Sequence, residues 1–207
     1  MTAALDGRLA AHVDVAASLA ASRPRRPGAP WKPPADLDRY AQMLDADRPQ
    51  VVVETGTHRG HFAAWLAARG VDVVTVDVDD RVDEPAPSVT YLIGSSVDPA
   101  VVRRVAELVA GRRCVVSLDS HHSADHVTAE IDLYGPLVTP GCHLVVEDTV
   151  WAWADDHLRA HAVGTLGTPL DAVRARLVGT PAWERDVELE RAAEVSNAPA
   201  GWWVRRG

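Results

Sequence analysis

Short apolar runs rich in β-branched residues recur along the chain, and four of them end in an acid. Val51-Val52-Val53 runs into Glu54, Val73 to Val76 into Asp77, Cys114 to Leu118 into Asp119, and Leu144-Val145-Val146 into Glu147-Asp148. Runs of this length are too short for helices of their own and predict buried strands. A fifth, Val89 to Ile93, is followed by Gly94-Ser95-Ser96. Between the runs the period changes. Phe62, Leu66 and Ala67 lead to Gly70; Asp98 opens a stretch with Val101, Val102, Val105 and Leu108; and Ala124 to Val138 carries Val127, Ile131 and Tyr134 before Pro140-Gly141. Spacings of three and four residues, opened by a capping residue and closed by Pro or Gly, predict helices with one buried face.

Strand and helix therefore alternate, which predicts an α/β fold: a doubly wound, mostly parallel sheet. Two late strands, Trp183 to Leu189 and Trp202 to Arg205, flank a turn at Asn197-Ala198-Pro199 and predict a closing antiparallel hairpin. Helices are expected around Asp155 to Ala162 and from Pro169 to Leu177, where Pro169 suits a first turn. Upstream, residues 1–21 have the spacing of an amphipathic helix, and residues 22–35 hold five prolines with no periodicity. The division expected is an N-terminal helix and connector over 1–35, then one domain over 36–207, its first helix capped by Asp36.

In a parallel sheet the carboxyl ends of the strands share one rim, where ligands of open α/β folds bind. The unit from Cys114 to Asp148 reads as strand, helix, strand, so Asp119, Glu147 and Asp148 should converge there. Carboxylates gathered without matching cations repel one another, and a hard divalent cation, Mg²⁺ before Ca²⁺, relieves this. His122, three residues after Asp119, lies on the same rim, and a neutral imidazole there is placed to take a proton from a hydroxyl on the metal. His121 and His126 compete for that role.

The loop after the first strand, Glu54-Thr55-Gly56-Thr57-His58-Arg59-Gly60, is glycine-bearing but is not GxGxxG. Its acid suits a cofactor with a cationic end, such as S-adenosylmethionine, better than a pyrophosphate. Asp77 is placed to accept hydrogen bonds from a ribose diol.

Charge sharpens the partner class. Acidic residues outnumber basic ones, 29 to 21, for a net charge of -8. That is poor equipment for nucleic acid or an anionic membrane, so a small-molecule partner is expected. No stretch approaches the ~20 apolar residues of a membrane span, and a cytoplasmic setting follows as the expectation. Cys114 and Cys142 are expected to be reduced thiols at the starts of two strands. Trp151, Trp153, Trp183, Trp202 and Trp203 cluster late in the chain, suited to lining a pocket or packing a core.

Taken together, VVVETGTHRG, VVTVDVD, GSSVD, SLDSHHSADHV, LVVEDT and the closing GWWVRR resemble the cephalosporin hydroxylase family. Despite its name, that family groups S-adenosylmethionine- and Mg²⁺-dependent O-methyltransferases, among them rhamnosyl and macrolide-sugar methyltransferases. The resemblance runs from about Trp31 to the C-terminus and implies a Rossmann-like, class I methyltransferase fold. It implies metal ligation by Asp119, Glu147 and Asp148, and His122 as the base. Cofactor contacts are implied at Glu54, Gly56, Thr57, His58 and Asp77, with Ser95 or Ser96 near the adenine. The acceptor implied is the hydroxyl of a small sugar- or polyol-bearing natural-product intermediate. The N-terminal helix and proline connector suit a swapped or docked arm in a homo-oligomer, or a segment lying on its own subunit. Two alternatives stand beside this reading: an NAD(P)-dependent oxidoreductase on the same fold, and a non-catalytic accessory protein.

Overall fold

The structure is a computed structural model that describes residues 12–21, 28–156, 159 and 167–207. Seven strands form one sheet: β1 (Val51–Thr55), β2 (Asp72–Asp77), β3 (Val89–Ile93), β4 (Cys114–Leu118), β5 (His143–Val146), β6 (Trp183–Arg185) and β7 (Trp202–Arg205). Their order is β3-β2-β1-β4-β5-β7-β6, with β7 antiparallel to both neighbours and the other pairs parallel. The doubly wound, mostly parallel sheet with an antiparallel end is thus as the pattern predicted. Strand order reverses between β1 and β4, which opens the crevice used by ligands of such sheets.

The helices are α1 (Val15–Ala21), α2 (Pro34–Asp47), α3 (His61–Ala67), α4 (Pro99–Val109), α5 (Ala124–Tyr134), α6 (Pro169–Arg176) and α7 (Val187–Glu190). Asp98 caps α4 by accepting the N–H groups of Ala100 and Val101. A 3₁₀ turn, Gly135–Leu137, extends α5. Every residue of β1 and β4 is buried, and so is every residue of β5, which accounts for their continuous apolar runs. Trp202 and Trp203 are core residues. Cys114 and Cys142 are both buried, with no disulfide between them.

Two local expectations need correction. Asp36 does not cap α2, which begins at Pro34 after Pro33; it lies in the first turn, fully buried, bound to Arg39. Its carboxylate also accepts from Ser196 Oγ and the Asn197 N–H, so tertiary partners outcompete the capping role. The strand expected from Trp183 to Leu189 stops at Arg185, because Asp186 caps α7 through the Leu189 N–H. Of the helix expected over 155–162, residues 157, 158 and 160–162 lie outside the described residues. Of the N-terminal helix, the described part docks on the C-terminal region. Asp14 N–H donates to Glu194 O at 2.7 Å, and Ser196 N–H to Ser18 Oγ at 3.0 Å. No helix among the described residues is long and apolar enough to cross a membrane.

Candidate active site

Strand register places the acids in one row. Thr55 pairs with Leu118 and Leu118 with Val146, so the next residues, Gly56, Asp119 and Glu147, emerge side by side at the carboxyl rim. Thr55 also pairs with Val76, which sets Asp77 beside Gly56. Gly56 adopts φ +88°, and a Cβ there would lie 1.8 Å from the backbone oxygen of Asp119. Only glycine allows the ends of β1 and β4 to approach this closely.

Beneath this rim opens a cavity of about 540 Å³, lined among others by Gly56, His58, Asp77, Ser95, Ser96, Asp119, His122 and Asp148. Asp77 accepts the His58 N–H at 2.7 Å through one oxygen and the Asp79 N–H at 3.0 Å through the other. His58 stands in the left-handed region with φ 50°. Burial, reinforced by Arg81 and Arg59, lowers its pKa and favours the neutral ring. Ser96 Oγ lies 3.0 Å from His126 Nε2, and the Ser96 carbonyl accepts from Tyr134 OH at 2.7 Å.

Glu54 and Thr57 are set differently. Neither lines the large cavity; both border a smaller one of about 40 Å³ beside it. Glu54 is buried and accepts from Thr75 Oγ1 at 2.5 Å, and Thr75 in turn lies 2.6 Å from Thr57 Oγ1. Burial pushes the Glu54 carboxyl up to about 8.

At the other side of the cavity, ligating atoms of Asp119, His122 and Asp148 all lie within 4.8 Å of one another. Asp148 reaches this group because its backbone turns left-handed, with φ 58°. His122 stands 3.0 Å from Asp148 Oδ2 and 3.5 Å from Asp119 Oδ1. Burial alone would lower the His122 pKa, but Asp148 and Asp119 overcome it and raise it to about 9. His121 instead lies 3.0 Å from Ser123 Oγ, and His126 pairs with Ser96 and, at 3.6 Å, Glu130. Of the three histidines competing for the base, His122 is the one among the carboxylates.

Glu147 is buried and turned toward two partners absent from the sequence-based site. Tyr40 OH donates to Glu147 Oε1 at 2.5 Å, and Lys32 Nζ stands 3.0 Å from the same oxygen. Lys32 Nζ also lies 2.9 Å from Asp119 Oδ2 and 4.3 Å from the centre of the Phe62 ring. Burial pushes the Glu147 carboxyl up to about 7 against the opposing pull of Lys32. Burial also raises the Asp119 carboxyl, but Lys32 and His122 outweigh that and hold it at about 2. Lys32 itself stays protonated, because the two carboxylates override the effect of burial.

Trp31 and Trp151 line the cavity as well, and Trp31 packs edge-on against His58 with ring centres 5.0 Å apart. Trp31, Lys32 and Tyr40 were missed by motif reasoning, since all three come from the connector and α2. One signal was available: Lys32 is the single lysine of a chain with 20 arginines.

The Rhamnosyl O-methyltransferase/CmcI family pattern matches residues 28–206. The chain belongs to this family. It is 31% identical over 191 residues to the rhamnosyl O-methyltransferase of Mycobacterium tuberculosis H37Rv, covering 84% of this chain and 75% of that protein. The Mycobacterium leprae protein of the same name is 30% identical over 187 residues, covering 83% and 78%. Among solved structures, CmcI-D160 with Mg and SAM superposes with TM-score 0.59 at 20% identity, over 90% of this chain and 83% of that one. MycE, a methyltransferase of mycinamycin biosynthesis solved with Mg, SAH and mycinamycin VI, gives TM-score 0.54 at 19% identity, over 81% and 46%. The resemblance drawn from the sequence motifs and the Rossmann-like methyltransferase fold are both borne out by membership in this family.

Proposed function

We propose that the protein transfers a methyl group from S-adenosylmethionine to a hydroxyl of a small sugar- or polyol-bearing acceptor, with Mg²⁺ held by Asp119, Glu147 and Asp148. The observation that carries this reading is the convergence of Asp119, Asp148 and His122 in the cavity that also exposes Gly56, Asp77 and Ser95-Ser96. A carboxylate-dominated donor set suits a hard, oxygen-preferring cation. The relatives are named rhamnosyl O-methyltransferases, and two neighbours of the same fold hold Mg with SAM or SAH.

Within this assignment Asp77 accepts from the ribose hydroxyls, while Gly56 lets the cofactor approach the backbone. His58, Ser95 and Ser96 supply the remaining contacts. Glu54 and Thr57 act from behind, fixing β1 against β2 through Thr75. Bound Mg²⁺ would lower the pKa of the acceptor hydroxyl and orient it. His122 takes the hydroxyl proton as the acceptor oxygen bonds to the methyl carbon and the carbon–sulfur bond breaks. Asp119 and Asp148 favour a proton on His122 in the protein alone, and a cation on those same carboxylates opposes it. Trp31 and Trp151 both line the cavity, and indole rings there suit packing against the C–H groups of a sugar. The rest of the rate comes from holding the two reactants in line.

Calorimetric titration with S-adenosylhomocysteine, with and without Mg²⁺, tests the cofactor. Incubation with S-adenosylmethionine and a panel of rhamnosides, read by mass spectrometry, tests the acceptor class. Absence of S-adenosylhomocysteine binding would refute the assignment. NAD(P) binding in its place would revive the oxidoreductase alternative, which membership in a methyltransferase family otherwise leaves without support.

A further inference from the structure

The three acids of the site are balanced from within. Asp119 and Glu147 share the ammonium of Lys32, and Asp148 and Asp119 share the imidazole of His122. Lys32 has only 2% of its side chain exposed, enclosed by Phe62, Tyr40 and the two carboxylates. Elsewhere every fixed positive side chain of this protein is arginine. A compact ammonium can stand between two carboxylates and against a ring face; a planar guanidinium makes a wider fork. The backbone holds Lys32 there. Pro33 after it disfavours a helical conformation at Lys32, and Trp31 before it packs on His58.

We propose that Lys32 and a divalent cation compete for the same carboxylate oxygens, so that Lys32 sets the metal affinity of the site. This rests on the metal reading above. Any cation bound at Asp119 Oδ2 meets the ammonium that already holds that oxygen at 2.9 Å. Two like charges so close repel strongly in a partly desolvated site. A cation that takes Asp119 Oδ2 and Glu147 Oε1 as ligands therefore displaces Lys32 from both. Trp31, the residue before Lys32, packs on His58 in the wall of the cavity, so displacement of Lys32 is expected to be felt there.

The single lysine makes the test direct. In full-length protein grown with [¹⁵N]lysine, the side-chain ammonium and the backbone amide of Lys32 each give one NMR signal. Both should shift as Mg²⁺ is titrated in, and to the same end point. In parallel, Lys32→Met should bind Mg²⁺ by calorimetry about tenfold or more tighter than the unaltered protein. Lysine signals unmoved at saturating Mg²⁺, or Lys32→Met binding Mg²⁺ no more tightly, would overturn the competition. The NMR arm decides the matter even where Lys32→Met does not fold, because it uses the unaltered chain. If neither protein binds Mg²⁺, the metal assignment under Proposed function fails together with this inference; if the unaltered protein binds it and the variant gains nothing, only this inference fails.

Discussion

The backbone oxygen of Asp119 occupies the space into which any side chain at position 56 would have to project, 1.8 Å from the ideal Cβ of Gly56. The Gly56 N–H meanwhile donates to Val76 O at 2.8 Å, and the Asp119 N–H to Thr55 O at 3.0 Å. The loop is therefore clamped on both sides. Gly56→Ala must break one of these contacts or force a left-handed alanine, at a cost of about 3 kcal/mol. Urea denaturation should show that loss, and S-adenosylhomocysteine binding should fall with it. A variant as stable and as competent as the parent would show that the clamp is not needed.

His122→Ala should lower methyl transfer by about 10² to 10⁴-fold while leaving S-adenosylhomocysteine affinity close to that of the parent. Rate measurements across pH at saturating Mg²⁺ check this, since loss of the base also flattens the profile. An unchanged rate would move the role to His121 or His126, both of which line the same cavity.

Tyr40 sits behind the site, with its hydroxyl between Ser117 Oγ at 2.6 Å and Glu147 Oε1 at 2.5 Å. Tyr40→Phe removes the donor and leaves a buried carboxylate oxygen with Lys32 as its remaining partner. The expected loss is about 1 to 3 kcal/mol, measured by chemical denaturation. Because Lys32 then carries Glu147 alone, Tyr40→Phe combined with Lys32→Met should lose more than the sum of the two single losses.

A second buried histidine governs stability far from the cavity. His143, at the start of β5, has its Nδ1 2.8 Å from Asp47 Oδ2 and its Nε2 3.1 Å from Asp186 Oδ2, joining the end of α2 to the segment after β6. Burial would lower its pKa, yet the hydrogen bonds and charges of Asp186 and Asp47 raise it to about 9. A folded-state pKa above the unfolded value of about 6.5 stabilises the fold fully below that value. The contribution, up to about 3 kcal/mol, is lost as pH rises through 9. Urea midpoints should therefore fall between pH 6.5 and 9.5, and His143→Gln should remove most of that fall. An equal decline in both proteins would assign it to other groups.

Local pattern determined most of the scaffold. Runs such as Val51 to Glu54 and Cys114 to Asp119 carry their strand signal within a few residues, and parallel pairing of such strands forces the acids that end them onto one rim. The gathering of Asp119 and Asp148 on one rim, with His122 three residues after Asp119, was legible for that reason. What pattern left undecided involved partners distant in sequence. Lys32 meets Asp119 across 87 positions and Tyr40 meets Glu147 across 107, and no periodicity encodes either encounter. Asp36 looked like a helix cap because capping is a local preference, whereas Ser196 and Asn197 claim it in three dimensions. Desolvation explains the difference. An acid on a solvated strand end needs no partner, but one buried as Glu147 is buried must find a proton or a cation, and only the folded chain determines that the nearest cation is its one lysine.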